Sequence, residues 1–564
     1  MSKKIKESDI QEALQTLKKY KASKATLEAR IVEDELFWKR CHWEQKREKG
    51  EKHPASGWLF NAIINRHADA MDNYPEAVML PREESDKQSA EILTSIMPVI
   101  FDQNGFRKTY SDAWWYKLKH GVVAYGVFWN GQVDEGRGSV EIRRLDILNL
   151  FWEPGITDIQ KSRNLFVCDL VATDTLKEKY PGAKISGGEE TELKKYVYDD
   201  SFDTSDKALV VDWYYKKNGK LHFCKFCEDN ILFASENEKG YDNGWYEDGR
   251  YPVEFETLYP EDGTPVGFGM VSICKDAQTS IDIIDDSAME NMSWSSKPRY
   301  FKKHGAGINV EEFMDKSNQL VEVEGEINEE RIRQIEIPEF PRLALEFRTA
   351  KINELKETSG NTDFVQGNTS KGVTSGAAIA VLQEAGNKLS RDSIGMAHET
   401  FKNIVYMVIE RIRQFYDIKR TFRITAPNNE YEFREFDNSQ IKVQPGAQIG
   451  GQEIFRKPIF DIVVHAQKKN PFSTLSQNET ASNLFGAGFF NPQMAQQAMI
   501  ALKLMTFEGK DEVEKYIQEG ATLQNQLVQA QQQNEQLMQQ LQILQGGIAP
   551  GLPEPAISSQ VNVA

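Results

Sequence analysis

Residues 271–296 have the sequence VSICKDAQTSIDIIDDSAMENMSWSS, and this stretch predicts one long amphipathic helix. Apolar side chains recur every three or four residues, a spacing that places them on one helical face. That face holds Ala277, Ile281, Ile284, Ala288 and Met292. The acids of the same stretch fall mostly on other faces: Asp282, Asp285, Asp286 and Glu290. The helix therefore has an apolar side to bury and acids to place elsewhere.

A second helix is predicted from about residue 343 to residue 358, with the opposite charge balance. We expect Phe347, Ala350 and Leu355 to point inward. Its basic side chains are available on the outside: Arg342, Arg348, Lys351 and Lys356. Between the two helices, short runs at 298–303, 319–323 and 332–337 have the composition of β-strands. The sequence thus predicts a small β insert between an acidic helix and a more basic one.

The next stretch, residues 359–374, is poor in apolar side chains and rich in Gly, Asn, Thr and Ser. These residue types form turns and loops. The stretch contains one lysine, Lys371, one aspartate, Asp363, and no arginine. Helical spacing resumes and continues to Tyr416, with candidate kinks at Gly386 and Gly395. We therefore interpret 359–374 as a polar loop between two helices.

Upstream of the first helix, the pattern changes from helical to β at Gly121. Residues 54–120 are predicted to be helical, with breaks at Pro75 and Pro81 and one face marked by Ala62, Ile63, Arg66 and Ala70. Two β-hairpins follow, 122–129 with 140–145 through an Asn-Gly turn, and 209–215 with 221–226. Residues 121–260 are thus a β-rich section on a helical platform, and the fold class is α+β.

The remaining segments are mostly helical at the two ends. Residues 5–49 read as two solvated, charge-rich helices, residues 421–466 as strands, and residues 471–519 as helices. From residue 523 to residue 545, apolar residues step alternately by four and three, which predicts a coiled-coil seam. The seam includes Leu527, Asn534, Leu537 and Leu541. The Pro- and Gly-rich residues after 545 are expected to be disordered.

Composition excludes several classes of protein. With 40% hydrophobic residues the chain has enough apolar surface for large cores, which excludes a mainly disordered protein. It lacks an apolar run of membrane-spanning length and a secretory signal, and its five cysteines do not suggest a disulfide framework. We therefore expect a soluble protein made in a reducing cytoplasm. The formal charge of −17 argues against nonspecific wrapping of nucleic acid.

The residues also favour an assembly protein over an enzyme. The chain contains no P-loop, GxSxG or HExxH motif. Asp282, Asp285 and Asp286 could hold a divalent cation, as a nuclease would require, but a solvated acidic stripe is the commoner arrangement. We predict no catalytic residue, no cofactor and no metal site.

The order of these segments resembles the portal protein of tailed double-stranded DNA phages. Three stretches carry the resemblance. Residues 120–181, from HGVVAYGVFWN through LDILNLFWEPG to TDTLKEKYP, are similar to the family's wing. Residues 271–358 resemble its stem–clip–stem, and GVTSGAAIAVLQEAG at 372–386 resembles the start of its long wing helix.

The resemblance implies a homo-oligomeric ring, usually of twelve subunits, at one vertex of the capsid. Double-stranded DNA would be driven through it by the terminase large subunit and would later leave through it. The clip would face this motor and then the head–tail adaptor, and the wing would meet the major capsid and scaffolding proteins. The expected location is the virion, after synthesis in the host bacterial cytoplasm, with no membrane partner.

On this pattern the chain divides into nine segments. They are N-terminal charged helices (1–50), wing (51–270), first stem helix (271–297), clip (298–341), second stem helix (342–358), channel loop (359–374), long wing helix and returning strands (375–470), helical crown with the coiled-coil-like helix (471–545), and tail (546–564).

The resemblance also suggests roles for particular residues. The channel loop would contact DNA through Asn361, Thr362, Gln366, Asn368, Thr369, Ser370 and Lys371. Such short polar groups touch phosphates without gripping the duplex. The acids of the first stem helix would pair with Arg348 and Lys351 of a neighbouring subunit. The alternatives are a scaffold or tail protein assembled by its coiled coil, and a metal-dependent enzyme acting on nucleic acid.

Overall fold

We describe the chain from a computed structural model. The described residues are 4–43, 53–182, 206–361, 388–468 and 482–545, with gaps at 298, 306, 316, 318–321, 325–331, 426–430, 450–451, 483, 490, 492–493 and 505–509. The chain divides into two units, residues 1–467 and residues 468–564, and each is described by itself.

Helices and strands alternate in groups along the first unit. Its helices are α1 (Glu7–Trp38), α2 (Trp58–Asp72), α3 (Lys87–Gln103), α4 (Phe106–His120), α5 (Thr173–Lys179), α6 (Met270–Ser296), α7 (Val310–Met314), α8 (Arg342–Ser359) and α9 (Lys388–Phe415). The second unit contains α10 (Ala495–Leu504) and α11 (Lys510–Gln545).

The strands are short, and the pairings among β2 to β17 are antiparallel. They are β1 (Asn73–Pro81), β2 (Val122–Asn130), β3 (Ser139–Leu145), β4 (Leu150–Trp152), β5 (Asn164–Ala172), β6 (Lys207–Lys217), β7 (Lys220–Cys227), β8 (Asn230–Ala234), β9 (Val253–Thr257), β10 (Tyr259–Pro260), β11 (Gly267–Phe268), β12 (Tyr300–Lys302), β13 (Ile332–Gln334), β14 (Arg420–Thr425), β15 (Tyr431–Phe436), β16 (Gln444–Ile449), β17 (Gln452–Arg456) and β18 (Phe460–Lys468).

Both predicted hairpins are present, and the mixture of helices and strands agrees with the α+β class. The first hairpin is β2–β3 in a sheet of order β3-β2-β9. Residues 131–138 join its strands, so the expectation of a tight Asn-Gly turn there is wrong. The second hairpin is β6–β7 in a sheet of order β4-β5-β6-β7-β8. Asn218 and Gly219 join β6 to β7 with φ of 52° and 75°. A two-residue turn needs positive φ at both positions, which Asn and Gly tolerate best.

The expectation of helix throughout 54–120 is wrong in one place. Residues 73–81 form strand β1, which pairs with β18 from the far end of the unit. Pro75 and Pro81, interpreted as helix breaks, lie within this strand. Proline is acceptable there because each strand of a two-stranded sheet has a free edge.

The N-terminal segment is also different from the expectation. It is one helix to Trp38 rather than two solvated ones, and its apolar stripe, including Ile10, Leu17 and Tyr20, is buried against the five-stranded sheet. Even Lys24 is buried, and its Nζ donates to the carbonyl oxygens of Leu150, at 2.8 Å, and Ile147. Burial lowers the pKa of Lys24 to about 8. The helix is therefore an integral layer of the first unit, packed on the five-stranded sheet.

The end of α1 carries a buried carboxyl group. Asp34 is fully buried, with Ser272 Oγ of α6 donating to its Oδ2 at 3.4 Å and His120 Nδ1 of α4 at 4.0 Å from the same oxygen. Burial disfavours the ionised form and raises the pKa of Asp34 from 3.8 to about 7. Asp34 thus joins three helices, and its burial lowers the stability of the protein at pH values where the carboxyl group is ionised.

We expect Asp34→Asn to stabilise the protein more at pH 8 than at pH 5. Between pH 3.8 and about 7 the folded Asp34 binds more protons than the unfolded one. Stability therefore falls as pH rises through this window, by at most about 4 kcal/mol. Thermal unfolding at both pH values measures it, with the exposed Asp276→Asn on α6 as the control. An equal shift of the melting temperature at both pH values would contradict the assignment.

Candidate functional site

The predicted helix–insert–helix is present as a hairpin of two long helices. Helix α6 packs along α8, and the ends of the insert meet in an antiparallel pair, β12 with β13, in which Tyr300 lies opposite Gln334. A single bridge joins Ile308 to Val323 inside the insert. We call α6 and α8 the stem, and the described residues between them the clip.

The two ends of the stem differ in burial. Near the rest of the unit, Val271, Cys274 and Ile281 of α6 and Ile352 and Leu355 of α8 are buried in the main core. Toward the clip, large apolar side chains are about half exposed or more: Ile283, Met289, Met292, Trp294, Leu343, Leu345 and Phe347. Exposed apolar surface on this scale is typical of a protein–protein interface.

The expectation that Phe347 and Ala350 point inward is therefore wrong for a single chain. Phe347 is 50% exposed and Ala350 is also exposed, whereas Leu355 is buried as expected. Met292, at the end of the stripe predicted for α6, is 70% exposed. Helical periodicity identifies an apolar face but not whether the same chain covers it.

The stem charges pair within one chain. Arg348 donates two hydrogen bonds to Asp285, one of them from Nη2 at 3.0 Å. This pair forms within one subunit, whereas the expectation from sequence places it between neighbouring subunits. Lys351 Nζ donates to Glu354 Oε2 at 2.7 Å on its own helix. Glu290 is exposed near the clip.

The other two acids face the segment that precedes α2. Asp282 is fully buried, and its Oδ1 accepts from both the backbone N–H and the hydroxyl of Ser56, each at 2.8 Å. His42 Nε2 lies 3.2 Å from Asp282 Oδ2. Asp286 Oδ2 lies 3.0 Å from His53 Nδ1. Asp282, Asp285 and Asp286 therefore each have a separate protein partner.

Asp282, Asp285 and Asp286, the candidate ligands of a divalent cation, bind different protein partners instead of one shared site. In the described part of the chain, no group of three or more His, Cys, Asp or Glu side chains is placed to hold a metal ion. Asp282 instead acts at the entry of α2, where the first backbone N–H groups of the helix favour a negative charge. Its role is to join α6 to α2.

Helix α2 contacts the start of the predicted channel loop and the start of α9. Of the seven residues proposed to contact DNA, only Asn361 is described; it is buried, and its Oδ1 accepts from Asn65 Nδ2 at 2.8 Å. Thr362, Gln366, Asn368, Thr369, Ser370 and Lys371 lie outside the described residues. Two contacts were not anticipated: Arg66 with Ser359, and Arg66 with Ser390. The one available signal was a base, Arg66, within an otherwise apolar helical face.

The predicted coiled-coil seam is exposed along α11. Leu527, Leu537 and Leu541 are each more than half exposed, and Asn534 is exposed between them. The earlier part of the same helix does pack on α10, through a small core that includes Leu502 and Ile517. Among the described residues of its own unit, the seam therefore has no partner.

The described residues of the first unit thus form a two-helix stem mounted on an α+β platform, with large apolar side chains exposed on the half of the stem near the clip. A model of the phage P22-like portal protein family matches residues 61–257 and 219–550, which together are most of the chain. The chain belongs to the phage P22-like portal protein family. A search of curated proteins found no match.

Members of this family are structural proteins of the virion, where they form the portal of the capsid, serve genome packaging and connect head to tail. The family is non-enzymatic. Membership of the family suggests a homo-oligomeric ring whose partners are the capsid and other phage proteins. Among the described residues, none of the helices is long and apolar enough to cross a membrane.

We expect Asn534→Leu to raise the thermal stability of α11 and to broaden the range of oligomers formed. A polar residue in an apolar seam specifies register and oligomer state at a cost in stability. Helical circular dichroism during heating and the mass distribution of the full chain measure the two effects. The control is Gln532→Leu, outside the seam. If both variants behave alike, residues 523–545 do not associate through this seam.

Proposed function

We propose that the chain forms a closed ring of twelve subunits at one capsid vertex and that double-stranded DNA enters and leaves through the centre of the ring. Membership of the portal family supports the class. The observation that carries the ring is the exposed apolar half of the stem, which a single chain leaves in contact with water.

The stem can supply the energy of assembly. Burying a large apolar side chain stabilises an association by about 1.5–3 kcal/mol before the costs of ordering. Leu343, Phe347 and Met292 are each at least half exposed, so one neighbour could cover them with a substantial gain. Contacts between two different faces of identical subunits repeat around an axis and close into a ring if the rotation permits.

The charge of the chain suits a channel through which DNA must move. An excess of acids, −17 per subunit, offers phosphates few deep electrostatic minima in which to stop. In this proposal the loop at 359–374 reaches the duplex with short polar groups and the single cation Lys371. It would thus contact DNA without holding it tightly.

The remaining partners follow from the position of each segment in such a ring. The clip binds the terminase large subunit during packaging and the head–tail adaptor afterwards. The wing contacts the major capsid and scaffolding proteins. The site of action is the virion, and the protein is made in the host bacterial cytoplasm.

The purified protein is expected to appear as rings with a central hole in negative-stain images, whereas a scaffold or tail protein would give filaments or elongated oligomers. Phe347→Glu should shift the population from rings to free subunits because it puts a charge into the apolar stem face. Phe433→Glu, at an exposed Phe on β15, is the matched control. Normal rings from Phe347→Glu would contradict the stem interface.

Replacing residues 362–370 by a shorter Gly-Ser linker is expected to leave the rings intact but to reduce DNA packaging or retention. Lys371→Ala alone should change little, because one phosphate contact among many alters affinity only slightly. The yield of DNA-filled capsids measures the effect. If the shortened variant packages and retains DNA normally, the loop is an ordinary connection.

A further inference from the structure

We propose that Arg66 is a positioning residue that holds the end of α8 beside the start of α9, and that DNA packaging depends on this contact. The inference rests on the proposed function, because only in a portal is DNA packaging a readout of this contact. It adds a residue outside the stem and outside the loop to the parts on which packaging depends.

One guanidinium group contacts both ends. Arg66 Nε and Nη2 donate to the carbonyl oxygen of Ser359, the last residue of α8, at 3.2 and 2.9 Å. Its Nη1 donates to the hydroxyl of Ser390, in the first turn of α9, at 2.5 Å. Two residues that are 31 positions apart in the sequence therefore lie within the span of a single planar group.

Neighbouring residues of α2 support each end separately. Asn65 donates to Asn361 just beyond Ser359, and Asp69 Oδ2 accepts from the Ser390 hydroxyl at 2.8 Å. Ser390 thus accepts from Arg66 and donates to Asp69, which fixes the direction of its hydroxyl. Asn65, Arg66 and Asp69 of α2 together hold the end of α8 and the start of α9.

Helix α2 is a firm base for these contacts. Its start is bound by α6, where Gln278 Oε1 accepts from the backbone N–H of Leu59 at 3.1 Å and Asp282 accepts from Ser56. Its apolar face, with Ala62, Ile63 and Ala70, is buried in the main core. The backbone from which the Arg66 side chain extends is therefore held in one position.

The start of α9 has a second, buried support. Lys117 Nζ donates to the carbonyl oxygen of Ser393 at 3.2 Å and to the carboxylate of Glu256. Lys117 therefore positions α9 on the sheet that contains β9, whereas Arg66 is, in the described part of the chain, the side chain that contacts both the end of α8 and the start of α9. This division predicts that loss of Arg66 separates the two ends without unfolding α9.

Arginine suits this task better than lysine. Its donors project from one rigid plane in different directions, so they can bind two acceptors at once. Lysine carries the same charge on a flexible side chain, but its ammonium lacks the planar arrangement of donors that a guanidinium has. Burial lowers the pKa of Arg66, and the carbonyl, the hydroxyl and the nearby Asp69 offset the cost of its charge. Arg66→Lys therefore tests the donor geometry of the guanidinium group while keeping its charge.

The experiment measures the distance between the two ends within assembled rings. Spin labels are placed at Glu357→Cys and Met396→Cys in a Cys41→Ser background, where the other four cysteines are buried. Labelled subunits form a small minority of each ring, so that distances within one subunit dominate. The same rings are then tested for DNA packaging.

The unsubstituted protein is expected to give one narrow distance. Arg66→Lys should broaden it and raise the population with longer distances by about tenfold or more, since hydrogen bonds from a charged donor are lost. Packaging should fall although rings still form. Ser390→Ala, which removes only the contact with α9, should broaden the distribution less. The matched control Arg82→Lys, at an exposed arginine bound to Asp461, should change neither result.

A narrow distance and normal packaging in Arg66→Lys would overturn the inference. A broadened distance with unchanged packaging would also overturn it, because the position of the ends would then not matter to DNA. Failure of the unsubstituted protein to form rings would instead contradict the proposed function. The distance measurement on free subunits would still decide whether Arg66 holds the two ends together.

Discussion

The contact between Asp282 and the entry of α2 is the interaction on which the arrangement of the first unit depends. A fully buried carboxylate is costly unless its oxygens are satisfied, and Asp282 is satisfied by the backbone and hydroxyl of Ser56 and by Gln278. It therefore joins α6 to α2 in one register. Because α2 also binds the end of α8 and the start of α9, the position of both stem helices relative to the platform follows from it.

Much of the fold follows from local periodicity and turn chemistry. The stem helices, the two β-hairpins and the strands after Tyr416 could be predicted because each depends on neighbours in sequence. The contacts that organise the site could not. Asp282 meets Ser56, and Arg66 meets Ser390, across more than 200 residues, and no spacing rule relates such partners.

The errors have physical reasons of the same kind. Phe347 has the spacing of a core residue, but the surface that would cover it belongs to another chain in the proposed ring. Lys24 lies in a charge-rich stretch that predicts a solvated helix, yet the carbonyl oxygens of Ile147 and Leu150 accept its hydrogen bonds. The DNA-contact residues from 362 to 371 lie outside the described part of the chain, so their role stays a prediction.

Oxidative footprinting of free subunits and of assembled rings tests the central claim, that subunits meet through the exposed half of the stem. Met289, Met292 and Trp294 react readily with hydroxyl radicals when exposed, and each is at least half exposed in one chain. The account predicts strong protection of these three side chains in the ring, and none at Met396 on α9. Equal oxidation of the stem in both states would contradict it.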